Sequence, residues 1–213
     1  DDGTGQARFS ITKGAVNQSL AWTNPLPIGA WTYVTLSLSN GVTGRLYING
    51  ANVATGAITI TPEQLNAPEV NTIPQQNYFA RGAGNSLPFF CGAIDGVRIY
   101  TGPLTDSEIG VYQSAQNFGG TGTLYVDLRA TNAANASLAT FTTWTNLGSS
   151  VGNFTKVGSP TYTTNVVGTG IPGIVLDGTS ARYSSSNTSI ADITGASDRT
   201  LEVWAYNPAL ASE

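Results

Sequence analysis

The sequence contains no histidine and a single cysteine, Cys91. Without imidazole, the chain cannot build a Ser/His/Asp or Cys/His catalytic system or a histidine-ligated zinc site. With one thiol it can form neither an intrachain disulfide nor a thiolate metal cluster. These absences remove many hydrolytic and zinc-dependent chemistries from the functions open to this chain.

Charge is also scarce: 10% of the 213 residues are charged, and the formal net charge is −4. Nucleic-acid binding needs clustered Lys and Arg side chains that neutralise phosphates, and the sequence has no such cluster. No apolar run reaches the roughly 18 residues that span a membrane. Residues 1–5 lack the basic and apolar regions of an export signal, so we expect that any such signal was removed or lies outside this chain. We expect neither a nucleic-acid partner nor membrane insertion.

What the sequence does contain is a series of short segments with β character, separated by Gly, Pro and Asn. In Trp31–Leu38 polar and apolar residues alternate, which is the pattern of a half-buried strand. Asn49 and Gly50 lie between two apolar stretches and predict a two-residue hairpin turn, because both positions tolerate positive φ. The predicted strands are Ala7–Thr12, Ser19–Trp22, Trp31–Leu38, Gly44–Ile48, Ala57–Ile60, Ala93–Tyr100, Leu124–Leu128, Gly173–Leu176, Ala181–Ser185 and Thr200–Tyr206. Together they predict an all-β sandwich.

One segment departs from the β pattern and predicts a short helix near residues 106–114. Thr105 and Glu108 have the spacing of a capping box, in which each satisfies a backbone N–H of the other. The Gly-rich segment at residues 119–122 then predicts a linker, because a new β pattern begins beyond it. The helix therefore closes the first half of the chain.

Two motifs in the first half carry a family resemblance. One is GAWTYVTLSLSNGVTGRLYINGANV, from Gly29 to Val53, and the other is GAIDGVRIYTGPLTDSEIGVY, from Gly92 to Tyr112. They resemble a hairpin and the closing strand and helix of laminin-G-like, concanavalin A-like jelly-roll domains of bacterial extracellular proteins. In that family both motifs lie in the second half of the domain. The resemblance implies a two-sheet antiparallel jelly-roll sandwich.

The second half of the chain resembles the opening part of the same kind of domain. LYVDLRA at residues 124–130 is similar to an opening strand, and GIVLDGTSARYSS at residues 173–185 is similar to an Asp-Gly motif that follows in the family. RTLEVWAYN at residues 199–207 is similar to a strand that the family follows with more of its sheet. The resemblance thus implies a back half at residues 1–118 and a front half at residues 121–213, in reversed order.

Three arrangements are consistent with this reversed order. The chain is a window onto tandem domains, a circularly permuted single sandwich, or a subunit whose back half completes the front half of the next molecule. Either half alone would leave open sheet edges and half a core. We therefore expect the halves to complete one sandwich, within one chain or between chains. Contacts that do not close give filaments, so other copies or neighbouring domains of the same protein are the expected partners.

Domains of this family often hold calcium near the point where the first and last strands meet. Asp95 and Asp177 lie in the matching motifs, so the resemblance implies that these carboxylates are calcium ligands. Calcium takes six to eight oxygen ligands, including backbone carbonyls. Each of the two residues is followed by Gly, and Asp-Gly pairs are also common in turns. Both interpretations stay open at this point.

Four tryptophans offer aromatic faces that can stack on sugar rings. Trp31 and Trp204 match core positions of the family, and we expect them to pack in the interior. Trp22 and Trp144 lie near loops, which makes them the candidate carbohydrate-binding residues. Glycans are therefore expected as alternative partners.

The acidic residues lack the alternating E-x-D-x-x-E pattern in which jelly-roll glycosidases present their carboxylate pair. The acidic residues that could form such a pair are Asp106, Glu108, Asp127, Asp192, Asp198, Glu202 and Glu213. We expect that the protein is not an enzyme. We expect instead a structural or adhesive module that lies outside the cell or at its surface, such as a repeating unit of a surface fibre. The alternatives are a lectin-like carbohydrate-binding module and, third, a glycan-active enzyme.

Overall fold

The computed structural model describes residues 6–39, 42–61, 64, 78–79, 89–115, 122–131, 142–150, 152–185 and 198–208. These ranges are predominantly β-strands, with the short helix α1 (Asp106–Ala115). The strands are β1 (Gln6–Lys13), β2 (Val16–Pro25), β3 (Ala30–Ser39), β4 (Thr43–Ile48), β5 (Ala51–Ala57), β6 (Tyr78–Phe79), β7 (Cys91–Thr101), β8 (Leu124–Arg129), β9 (Thr143–Trp144), β10 (Phe154–Val157), β11 (Thr161–Thr163), β12 (Gly173–Asp177), β13 (Arg182–Ser185) and β14 (Arg199–Asn207).

The strands form two packed layers. One layer is an eight-stranded sheet in the order β11-β12-β7-β14-β3-β4-β5, with β8 also paired to β7. The second layer consists of the four-stranded sheet β6-β13-β10-β9 and the hairpin β1-β2. The paired strands run antiparallel. The predicted all-β, two-layer antiparallel sandwich is confirmed for the described part of the chain.

The core lies between the inner face of the large sheet and the second layer. Beside β7 and β12, the buried side chains of Trp144, Phe154 and Tyr183 pack against the large sheet. Beside β3 and β4, Leu20 of the β1-β2 hairpin takes this place. Leu201 of β14 contacts both clusters, so the two parts of the interior are continuous.

Strand β14 lies in the middle of the large sheet. It pairs along its whole length with β3 on one side, and residues 199–206 pair with β7 on the other. The opposite edge of β7 pairs first with β12 and then with β8. Strands from either side of the linker at 119–122 therefore alternate in one sheet. The division into two half-domains stays a prediction, and of the linker only Gly122 is among the described residues.

The predicted turn and helix are both confirmed. Asn49 and Gly50 connect β4 to β5 with φ angles of 49° and 78°, as a two-residue hairpin requires. Helix α1 begins at Asp106, and the N–H of Thr105 donates to Glu108 Oε2 at 2.8 Å while the N–H of Glu108 donates to the Thr105 hydroxyl at 3.3 Å. This reciprocal pair is a capping box.

One predicted strand, Ala57–Ile60, is wrong. The strand at this place is β5, which ends at Ala57. Ile58 and Ile60 are buried outside the sheet, and the backbone N–H groups of Thr59 and Ile60 donate to Gln18 Oε1 at 2.7 and 3.0 Å. A side-chain oxygen thus replaces a neighbouring strand, so the apolar residues are buried without β pairing.

Candidate functional site

A row of polar side chains crosses the outer face of the large sheet, the face directed away from the core. In register, Thr35 of β3 lies opposite Glu202 of β14, Glu202 opposite Arg98 of β7, and Arg98 opposite Asp127 of β8. Neighbouring strands are about 4.8 Å apart and opposite residues share a face. We call these four residues the polar row. All four are buried, with at most 4% of each residue exposed.

Glu202 lies on the central strand of the polar row. Its Oε1 accepts a hydrogen bond from the Tyr33 hydroxyl. Burial raises the pKa of Glu202, against the lowering effect of hydrogen bonds from Tyr33 and Tyr100 and of the Arg98 charge. Burial and the neighbouring Glu202 likewise raise the pKa of Tyr33. The carboxyl group therefore holds its proton to a higher pH than a solvent-exposed glutamate does.

Asp127 is bound by two arginines at the β8 end of the row. Arg98 Nε donates to its Oδ1 at 2.8 Å. Arg129 donates from Nε to both oxygens at 2.9 Å and from Nη2 to Oδ2 at 2.6 Å. Both oxygens of Asp127 are thus engaged by cations, and the carboxylate is committed to this network.

Helix α1 covers the outer face beside the polar row. Ile109 packs with Tyr33 and Tyr47, and the Tyr47 hydroxyl donates to Asp106 Oδ1 at 2.6 Å. Trp204 stacks on Tyr33 with ring centroids 5.1 Å apart. Burial, followed by the hydrogen bond to Asp106, raises the pKa of Tyr47 to about 12. This part of the outer face is therefore a second, smaller interior.

Asp95, one of the predicted calcium ligands, lies at a β-bulge in β7. β14 pairs with Ile94 and with Gly96, but no β14 residue lies opposite Asp95. Its carbonyl accepts the N–H of Ala130 at 2.7 Å. Its Oδ1 is buried and receives no hydrogen bond from the described residues. Burial raises the pKa of Asp95 to about 6, although the Arg98 charge acts in the opposite direction.

Asp177, the second predicted calcium ligand, organises the turn after β12. Its Oδ1 accepts hydrogen bonds from the backbone N–H groups of Thr179, Ser180 and Ala181 at 2.8–2.9 Å, and its Oδ2 accepts one from the Ser180 hydroxyl at 3.1 Å. Burial alone would raise the pKa of this carboxyl, but these hydrogen bonds lower it. The turn interpretation of this Asp-Gly pair therefore accounts for both oxygens.

The structure does not bring these two aspartates together. Asp177 lies opposite Cys91 at one end of the β7–β12 ladder, and Asp95 lies four residues further along β7. Four residues of strand span about 13 Å, whereas the oxygens around one calcium ion lie about 2.3–2.6 Å from it. The pair therefore does not fit a shared calcium site. Calcium binding by the chain as a whole stays a prediction.

The two predicted carbohydrate-binding tryptophans have different surroundings. Trp144 is 1% exposed and packs edge-on against Tyr183, with ring centroids 5.4 Å apart. A ring buried in this way offers no face to a sugar, so Trp144 is corrected from candidate ligand-binding residue to core residue. Trp22 is half-buried on β2 and packs against the clusters around Leu20 and Ile48. Its role in sugar binding stays a prediction.

The polar row is the feature that the sequence did not reveal. The sequence presents Glu202 and Asp127 as isolated acids, and nothing in it singles out Arg98. A signal was present, because Thr200, Glu202 and Trp204 alternate with the apolar Leu201 and Val203. Which residues lie opposite them depends on strand order and register, and these follow from the complete fold.

The described residues contain no group of three or more His, Cys, Asp and Glu side chains arranged to hold a metal ion. In the same ranges, no helix has the length and apolarity needed to cross a bilayer.

Comparison with known families identifies one match. A laminin G family model, described as the concanavalin A-like lectin/glucanases superfamily, matches residues 1–110. Comparisons with curated proteins and with solved structures found no match. The match ends within α1, at the place where the sequence resemblance predicts the end of a domain. It confirms the resemblance that the two motifs of the first half carry.

Proposed function

The chain belongs to the concanavalin A-like lectin/glucanase superfamily through a laminin-G-like domain, and from that premise we propose that it is a non-enzymatic extracellular building block. Its role is structural or adhesive, and it assembles by complementation between two halves of a sandwich. The first half contains β1–β7 and α1, and the second contains β8–β14. Laminin-G-like domains are typically extracellular, which supports a place outside the cell or at its surface.

The position of β14 is the observation that carries this proposal. This strand comes from the second half, yet it lies between β3 and β7 of the first half. Without it, these two strands would each expose a row of unpaired N–H and C=O groups. Each half thus contains an edge that the other half covers. The same complementarity between copies would join them head to tail, and such contacts generate filaments when they do not close.

The state of the buried acids supports a non-enzymatic role. Glycosidases use two carboxyl groups that flank the substrate bond in an accessible cleft. Glu202 and Asp127 are 0% and 2% exposed, and they are engaged by tyrosines and arginines of the same sheet. Their interactions stabilise the association of strands from the two halves.

The direct test is the size of the purified chain across a concentration series. The protein is unfolded in urea and refolded at increasing concentration, and its mass is then measured by light scattering after size exclusion. We expect species larger than the 22.1 kDa chain to increase with concentration. A strictly monomeric protein at every concentration would contradict assembly by complementation.

Two further measurements separate this proposal from its alternatives. Binding on a glycan array that is lost in Trp22→Ala would assign the chain to the lectin-like modules instead. Release of reducing ends from glycans would assign it to the enzymes. The predicted calcium is tested by thermal unfolding in calcium and in chelator, where a higher transition temperature in calcium supports a bound ion.

A further inference from the structure

Each outward-facing residue in the middle of β14 contacts the first half of the chain. The Thr200 hydroxyl accepts the N–H of Leu104 and donates to the carbonyl of Gly102, both at 3.0 Å. Glu202 accepts the hydrogen bond from Tyr33 and lies opposite Arg98. The first half therefore contacts β14 through side chains as well as through the backbone.

Trp204 completes this series. Its ring stacks on Tyr33, and it lies opposite Gly96, where β7 has no side chain. The three residues follow one another at every second position, which places them on one face of the strand. Their partners differ in kind. Thr200 contacts backbone groups, Glu202 contacts a hydroxyl and lies opposite an arginine, and Trp204 contacts an aromatic ring and lies opposite a glycine. The order of the three residues is thus matched to the order of their partners.

We propose that the groove between β3 and β7 is a strand-binding site that selects its strand by the position of Glu202, and that it accepts the β14 segment of a second copy of this chain. This inference rests on the proposed function, since it specifies how the halves recognise each other. The ligand is an extended segment with one glutamate between apolar neighbours, in the order Thr-Leu-Glu-Val-Trp.

Register is the property that Glu202 determines. A shift of β14 by one residue would move Glu202 to the inner face, where Leu201 and Val203 now pack in the core. A shift by two residues would keep it on the outer face but would place it away from Arg98. Either shift takes the carboxyl group away from the Tyr33 hydroxyl that donates to it. Backbone pairing alone does not exclude these registers, because every strand offers the same N–H and C=O groups.

A second copy is the partner that fits this groove. The segment of another copy is identical in sequence and presents Thr200, Glu202 and Trp204 at the same spacing. Its glutamate meets the same Tyr33 hydroxyl, so the hydrogen bond at the centre of the groove is made again. The exchange replaces one set of contacts by an equal set, as in domain swapping.

The experiment uses the full chain with a protease site inserted between Gly119 and Gly120, cleaved after folding. The cleaved protein is unfolded in urea together with cleaved protein from a second preparation whose carboxy-terminal fragment is heavier by isotope labelling. After joint refolding, the complexes that contain the amino-terminal fragment are isolated and weighed by mass spectrometry. The ratio of light to heavy fragment measures the selectivity of the groove.

The variants lie in the labelled fragment. Glu202→Leu removes the acceptor of the buried Tyr33 hydroxyl, and we expect its capture to fall at least about tenfold relative to wild type. Glu202→Gln keeps an oxygen that accepts from Tyr33, and we expect capture within about threefold of wild type. Glu202→Val combined with Val203→Glu keeps the composition but moves the carboxyl by one residue, and we expect this fragment to be excluded. Asp198→Asn is the control for removal of one negative charge.

Each outcome has a defined meaning. If the two fragments separate after cleavage, the proposed complementation of halves is wrong. If they remain together but all four variant fragments are captured as well as wild type, complementation stands and selection by Glu202 is wrong. If the Glu202→Gln fragment is excluded from the complexes as strongly as the Glu202→Leu fragment, the groove does not select the strand as proposed. Preferential capture of wild-type and Gln fragments supports the inference.

Discussion

Two carboxyl groups with raised pKa values distinguish this protein at the scale of single residues. Glu202 accepts a hydrogen bond from Tyr33 and lies opposite Arg98, which compensates part of the cost of its burial. Asp95 has a buried oxygen that no described group supplies with a hydrogen bond. A buried charge without partners destabilises the folded state. Ionisation of Asp95 therefore opposes folding.

Substitution Asp95→Asn should stabilise the protein at neutral pH. Burial raises the pKa of Asp95 in the folded protein to about 6 from its ordinary value of 3.8, so the folded protein holds this proton more tightly than the unfolded chain does. The stability linked to this proton is complete below about pH 4 and is lost as the pH rises to about 6. We compare the free energy of unfolding of the variant with that of wild type. We expect this difference to be about 2 to 3 kcal/mol more in favour of the variant at pH 7 than near pH 4. Urea unfolding at both pH values measures this.

The control is Glu108→Gln at the start of α1. The backbone N–H and hydroxyl of Thr105 lower the pKa of Glu108, so its ionised form stabilises the folded state. The stabilisation by ionised Glu108 is present above the pKa of the unfolded chain and is lost as the pH falls. Stability linked to Glu108 therefore changes with pH in the opposite direction to stability linked to Asp95. A difference for Asp95→Asn that does not change between the two pH values would show that its ionisation does not affect stability.

At the scale of elements, the β4–β5 hairpin shows how a local turn is tied to the centre of the sheet. Asn49 has a positive φ, and its Oδ1 accepts the N–H of Tyr33 at 2.9 Å. The N–H of Asn49 in turn donates to the carbonyl of Tyr33 at 2.8 Å. Tyr33 then hydrogen-bonds Glu202. The hairpin thus helps to fix the side chain that β14 meets.

Substitution Asn49→Ala tests this connection. It removes the acceptor of the Tyr33 N–H and places a residue with a Cβ but no amide in the left-handed region. Together these changes should lower the free energy of unfolding by about 2 to 4 kcal/mol. Asn49→Gly restores the backbone freedom without the acceptor and should lose less, and Asn49→Asp, which keeps both, should lose least. Equal losses in all three variants, measured by urea unfolding, would contradict this account.

The elements that the sequence predicted correctly are those with a local cause. The Asn49-Gly50 turn and the Thr105–Glu108 capping box each depend on residues within a few positions of one another. The Ala57–Ile60 strand failed because a distant side chain, Gln18, takes the hydrogen bonds that a strand would make. Strands β9 and β11 are two and three residues long, too short to carry a pattern.

At the scale of the whole molecule, the candidate site depends on register between distant segments. Thr35, Arg98, Asp127 and Glu202 come from four strands that meet only in the complete sheet. A sequence shows that each of them alternates with apolar residues, but not which of them lie opposite each other. The prediction that Trp144 is a surface residue is wrong for the same reason. Strand β9 pairs with β10, and this pairing directs the ring of Trp144 into the core.

The central position of β14 predicts that the two halves unfold as one cooperative unit. Leu46 of β4 and Leu176 of β12 are 2% and 3% exposed in the two parts of the core that Leu201 connects. Substitution of either residue by Ala should cost about 2 to 5 kcal/mol and shift the same single transition. Tryptophan fluorescence and far-UV circular dichroism, followed in urea, should give coincident curves.

The neighbour of Leu176 provides the matched control. Val175 lies on the same strand with its side chain on the outer face and is 36% exposed, so Val175→Ala should change stability by no more than about 0.5 kcal/mol. If Leu176→Ala produced a separate early transition while Leu46→Ala shifted only a later one, the halves would be independent. That result would contradict the prediction, because β14 is hydrogen-bonded on both sides and cannot leave the sheet without opening both of its neighbours.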